Sequence, residues 1–106
     1  MNPEIQKILV EVRQQLEMIY KERLVDIILF GSQARGDAVP ESDIDILVVL
    51  QGTVNPGQEI ARIGEITSMI SLEYNVVISC VFVSSDRYET EHSPFLLNVH
   101  REGISI

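Results

Sequence analysis

The chain reads as an α/β protein, a mixed sheet of three to four strands packed against two long helices. Two long stretches carry apolar residues at spacings of three and four, the period of a helix with one buried face. Three short runs, Val25–Phe30, Ile44–Leu50 and Val76–Val83, are dense in β-branched residues. Gly, Pro, Asn and Ser punctuate the gaps between these stretches. At 106 residues the expectation is one domain, residues 1–106, large enough to bury a modest core.

Asn2 is the expected cap of the first helix, with Pro3 at its first position. Ile5, Ile8, Leu9, Val12, Leu16 and Ile19 form its stripe, and it ends near Arg23. Val25–Phe30 is almost wholly apolar, as a strand covered on both faces would be. It leads into Gly31-Ser32, a short helix over 33–36, and a turn from Asp37 to Glu41 containing Pro40. The second strand follows from about Ile44 to Leu50. Asn55 and Pro56 open the second long helix, whose expected buried face is Ile60, Ile63, Ile66 or Thr67, Ile70 and Tyr74. The third strand spans Val76–Val83. Ser84-Ser85-Asp86 caps a short turn of helix, Ser93-Pro94 opens a last short helix stopped by Gly103, and Ile104–Ile106 fits an edge strand.

Composition narrows the function. Hydrophobic content of 45% and charged content of 23% are ordinary for a globular protein. No apolar run is long enough to span a membrane, and Met1-Asn2-Pro3-Glu4 does not begin a secretory signal, so a cytoplasmic location is expected. The single Cys80 lies within an apolar run and reads as a core thiol. His92 and His100 have no companion at zinc-ligand spacing. A net charge of −8 opposes direct binding of DNA or RNA and favours a basic protein partner. The same charge opposes ATP unless a cation accompanies it.

The chemistry concentrates between Gly31 and Asp45, which reads Gly31-Ser32-Gln33-Ala34-Arg35-Gly36, then Ser42-Asp43-Ile44-Asp45 after the turn. Glycine lets backbone approach a bound group closely, and a helix start offers free N–H groups to a phosphate. The Ser32 hydroxyl adds a donor. Asp43 and Asp45 are two apart on an extended segment, so their side chains leave the same face. Two adjacent carboxylates repel unless a cation lies between them, and oxygen ligands of this kind suit Mg²⁺ with substrate phosphates. A Gly-Ser turn alone is common, and an Asp-x-Asp alone is often a solvated strand end. Together, each beside a strand, they describe a nucleoside-triphosphate site. Gly31, Ser32, Arg35 and Ser42 are the candidate nucleotide-binding residues, and Asp43 and Asp45 the candidate metal-binding and catalytic pair. For Arg35 two readings stand: a phosphate contact, or an ion pair with Asp37 or Glu41.

This Gly-Ser…Asp-x-Asp pattern resembles the signature of the DNA polymerase β-like nucleotidyltransferase superfamily. The wording Gly-Ser-Gln-Ala-Arg-Gly…Ser-Asp-Ile-Asp, over roughly residues 5–83, resembles its minimal nucleotidyltransferases. The resemblance implies the minimal fold of that superfamily, ATP as donor and Mg²⁺ as cofactor. It also implies pairing with a HEPN-domain ribonuclease toxin, which some members silence by moving AMP onto a tyrosine. A hetero-oligomer with that partner follows. The superfamily usually carries a third carboxylate on the strand after the second long helix. That strand contains no acid here, and Ser79 is the polar residue in its middle. Serine is a weak Mg²⁺ ligand and a poor base. Three functions are therefore expected in order: a protein adenylyltransferase antitoxin; a nucleotide-binding antitoxin acting by contact alone; and a small-molecule nucleotidyltransferase of the aminoglycoside-modifying kind.

Overall fold

The computed structural model describes residues 2–38 and 42–106. Its elements run α1 (Pro3–Tyr20), β1 (Leu24–Phe30), α2 (Gly31–Arg35), β2 (Ile44–Leu50), α3 (Pro56–Tyr74), β3 (Ile78–Ser84), α4 (Ser85–Thr90), α5 (Pro94–Glu102) and β4 (Ile104–Ser105). A single 3₁₀ turn, Lys21–Arg23, joins α1 to β1. The four strands form one mixed sheet in the order β3-β2-β1-β4. β1 runs antiparallel to β2 and to β4, and β2 runs parallel to β3 through the α3 crossover. The expected α/β class, the mixed sheet and the two long helices are all present.

The helix caps follow the sequence. Asn2 Oδ1 accepts from the Glu4 N–H at 2.8 Å, and Asn55 Oδ1 from the Gln58 N–H at 3.3 Å, each ahead of a proline in the first turn. Ser84 and Ser93 cap α4 and α5 in the same way. β3 begins two residues later than expected. Asn75 ends α3 in a left-handed conformation (φ 54°), and the Val76 N–H returns to the Ser71 carbonyl. Val76 and Val77 are thus spent on leaving the helix, despite their β-branched side chains.

The two faces of the sheet are covered unequally. On one face Ile27, Leu29, Ile44, Ile46, Val48, Leu50 and Phe82 pack against Ile5, Ile8, Leu9, Val12 and Leu16 of α1 and Ile63 and Ile70 of α3. On the other, Ile28, Leu47, Val49 and Val83 meet only Leu96 and Val99 of α5, with Phe30 and Tyr88 alongside. The N-terminal end of β2 and the outer part of β3 on that second face stay open: Val77 is 59% and Val81 38% exposed.

One expectation for α3 is corrected. Ile60 is 53% exposed, and Glu59, one residue earlier, is buried at 3%. The buried stripe is turned toward α1, where the Tyr20 hydroxyl donates to Glu59 Oε1 at 2.9 Å. Arg23 and Arg62 stand 3.9 and 3.6 Å from the same carboxylate and lie against the Tyr20 ring. Burial and Glu59 together raise the pKa of Tyr20, so its proton stays on the phenol. A buried carboxylate is tolerated because it is paired and hydrogen-bonded. Ile60 needed no burial once that lock held the start of α3.

Candidate active site

Gly31 and Ser32 open α2 rather than preceding it. Phe30, fully extended, is the residue before the helix, and Gly31 takes φ +75°. A β-carbon on Gly31 would strike Asp45 Oδ2 and force that carboxylate to move, and the left-handed φ itself favours glycine. This one contact joins the two halves of the motif, the phosphate-type turn after β1 and the acid on β2. Gly36, also left-handed at φ 81°, ends α2 after five residues, its N–H returning to the Ser32 carbonyl at 3.0 Å. Being a single turn of helix, α2 leaves its first N–H groups without acceptors inside the helix.

Sheet register places the acids. Asp45 is the second residue of β2, paired across to Phe30 on β1 and to Ser79 on β3. Phe30, Asp45 and Ser79 therefore form one row on the open face. Asp43 lies two residues earlier, exposed and just ahead of β2, and its charge acts on Asp45. The position expected for a third acid is thus adjacent to Asp45 in space, and it holds a hydroxyl.

Among the described residues no cation is paired with Asp45. Partial burial, and then the charge of Asp43, push its pKa above the usual carboxylate value. A carboxylate so placed is relieved by a bound cation. No group of three metal-ligating side chains occurs among the described residues. Two carboxylates completed by substrate phosphates and water are a sufficient donor set for Mg²⁺.

Gln33 Nε2 donates to the Ser42 carbonyl at 3.4 Å, tying α2 to the residue before Asp43. Arg35 is held in ion pairs with two other acids. Its Nε lies 3.1 Å from Asp37 and a terminal nitrogen 3.5 Å from Glu102 of α5. The ion-pair reading of Arg35 is the one this geometry displays, with Glu102 as a partner that sequence spacing did not suggest. The other suggested partner, Glu41, lies outside the described residues, as does Pro40.

The remaining candidates have packing roles. Burial pushes the Cys80 thiol up to about 11, so it stays protonated and unreactive at neutral pH. His100 stacks on Tyr88 at 4.1 Å, with Nε2 2.8 Å from the Tyr88 carbonyl. No helix among the described residues is long and apolar enough to cross a membrane.

This fold and this pairing of a glycine-serine helix start with two strand-borne aspartates define a nucleotidyltransferase. The nucleotidyltransferase domain family matches residues 6–93, and the chain belongs to it. The Methanocaldococcus jannaschii protein named "Putative protein adenylyltransferase MJ0141" is 33% identical, over 97% of this chain and 99% of its own length. Among solved structures, a toxin–antitoxin with AMP-PNP aligns with a TM-score of 0.61 at 24% identity, covering 88% of this chain and 68% of that one. A mutant of the toxin–antitoxin MntA-HpeT aligns at 0.58 with 25% identity, covering 100% of this chain and 72% of that one. The chain is a nucleotidyltransferase enzyme of the minimal kind.

Proposed function

We propose that this enzyme moves AMP from ATP onto a tyrosine hydroxyl of a partner HEPN-domain ribonuclease toxin, and so serves as that toxin's antitoxin in a cytoplasmic hetero-oligomer. The observation that carries the reading is the pair Asp43–Asp45, with Asp45 set against Gly31 and, among the described residues, no cation paired with it. The names of the relative and of the two solved structures support the adenylyl donor and the toxin partner.

Asp43 and Asp45 would hold Mg²⁺, while Gly31, Ser32 and the first N–H groups of α2 take the phosphates of ATP. A divalent cation bound there supplies charge neutralisation at the reacting phosphate and the leaving oxygen. The acceptor oxygen bonds to the α-phosphorus, the bond from that phosphorus to the β-phosphate oxygen breaks, and pyrophosphate leaves. The hydroxyl proton passes to water at the open face. Ser79 cannot take it, which favours a phenol over an aliphatic alcohol, because a tyrosine hydroxyl loses its proton with a pKa of about 10. Buffered water can accept a proton of that acidity without a dedicated base.

A second reading rests on the same Ser79. With no acid beside Asp45, the protein would bind nucleotide and silence its partner by contact alone. Incubating a purified HEPN partner with this protein, Mg²⁺ and ATP, followed by intact mass, separates the two. One or more added AMP units, absent with Asp43→Ala/Asp45→Ala, support transfer. An unmodified yet inhibited ribonuclease supports contact.

A further inference from the structure

β3 lies at the end of the sheet, and among the described residues no strand pairs with its outer side. The Ile44 N–H donates to the Val77 carbonyl at 2.9 Å, which fixes the ladder: residues 77, 79, 81 and 83 turn their backbone groups toward β2. The backbone groups of Ile78, Cys80 and Phe82 therefore point outward, without ladder partners. Proteins blunt such edges with charges, proline or a bulge. β3 reads Ile-Ser-Cys-Val-Phe-Val-Ser and has none of these. An opening of about 320 Å³ runs along it, lined on the α3 side by Ile60, Gly64 and Thr67 and on the strand side by Ile78, Ser79 and Cys80.

We infer that this edge seats the acceptor: an extended, basic protein segment adds to β3 as a fifth strand and presents a tyrosine to the site. The inference rests on the adenylyltransferase reading above and specifies where its acceptor binds. Register gives the geometry. The row Phe30–Asp45–Ser79 continues to one residue of the added strand, whose side chain leaves on the face of the aspartates. Two strand spacings separate that residue from Asp45, about 9.5 Å. A tyrosine can lie across the short Ser79 side chain and bring its hydroxyl to the acids, whereas serine or threonine is too short. Val77 and Val81, exposed on either side of Ser79 on the same face, offer apolar contact to the flanking side chains. The net charge of −8, with Asp45 one strand in from the edge and Asp43 two residues before it, selects a basic segment. It also disfavours a second copy of this chain, which would bring two acid pairs together.

The test uses the whole chain and two Lys/Val-rich peptides at millimolar concentration. One carries a single tyrosine in register with Ser79, and the other has it shifted by one residue. Expected are slowed amide exchange at Ile78, Cys80 and Phe82 with either peptide, and AMP transfer from Mg·ATP at least tenfold faster to the in-register tyrosine. The double variant Val77→Lys/Val81→Lys, altered only at exposed positions, should lose peptide binding at least tenfold and keep its melting temperature. Transfer that ignores register, or that proceeds without protection of those three amides, overturns the docking edge and leaves the adenylyltransferase reading standing. Protection without transfer in either register overturns this edge as the acceptor's seat, and the intact-mass test on the HEPN partner still decides the adenylyltransferase reading. Absence of any protection, or a concentration-dependent dimer that occupies the edge, overturns the docking site alone.

Discussion

Glu59 and Asp45 are both carboxylates drawn out of water, and their surroundings differ in kind. Glu59 is buried at 3% and answered from three sides, by the Tyr20 hydroxyl and by Arg23 and Arg62. Asp45 is half-buried beside Gly31, and the nearest charge acting on it is another carboxylate, Asp43. The first arrangement is complete within the chain and joins α1 to α3. The second is complete only when a cation arrives from outside. A carboxylate with its partners present builds the fold, and a pair held without them marks the place where something binds.

The contrast has consequences that can be ranked. Removing both acids, Asp43→Asn/Asp45→Asn, should lower AMP transfer by more than about a thousandfold, since each lost ligand removes several kcal/mol of transition-state stabilisation. Initial-rate assays on the partner protein measure this. The same double variant should melt no lower than the parent, because repulsion is lost and, among the described residues, no ion-pair partner is orphaned. Glu59→Gln should do the reverse. Its amide oxygen can still accept from Tyr20, but the negative charge facing Arg23 and Arg62 is gone, at a cost of about 1–3 kcal/mol, the arginines being exposed enough to find water. Denaturant unfolding would show that loss, while ATP affinity in the surviving folded protein stays within about twofold. A large loss of ATP binding in Glu59→Gln would break the division of labour.

Gly31→Ala tests the junction itself. Its β-carbon meets the Asp45 carboxylate and φ is +75°, so destabilisation of about 1–3 kcal/mol is expected, with ATP affinity falling alongside it.

A subtler effect follows from the raised pKa of Asp45. Its folded value lies above its unfolded one, so the folded state holds this proton more tightly than the unfolded chain does. The contribution of this group is therefore fully favourable below the unfolded pKa and is lost as pH rises through the folded one. Mg²⁺ should reverse that loss, raising the melting temperature at pH 7 more than at pH 4, and should do neither in the double Asn variant. Smallest of all is Arg35→Met, which breaks two solvent-facing ion pairs and should leave the melting temperature close to the parent's.

Much of this was legible in the chain. Helical and strand periods give the element order, and local chemistry and local spacing single out the proposed site residues Gly31, Ser32, Asp43 and Asp45. Ser79 was assigned to the missing-acid position from its place in the strand, and the β2–β3 register sets it directly beside Asp45. Long-range pairings were not legible. Tyr20 and Glu59 are far apart in sequence, and a glutamate on a helix face reads as solvated until its partners are known. The link from Arg35 to Glu102 is hidden for the same reason. The start of β3 was missed because β-branched Val76 and Val77 carry strand propensity but are claimed by the end of α3.

The central claim is that Asp43 and Asp45 form a cation-dependent nucleotide site. Titrating ATP into the protein by calorimetry, with and without Mg²⁺, tests it most directly. Binding that requires Mg²⁺ and disappears in Asp43→Asn/Asp45→Asn, in a protein that still melts at the parent temperature or above, is the expected result. ATP binding of equal strength without Mg²⁺, or unchanged in the double variant, would contradict it.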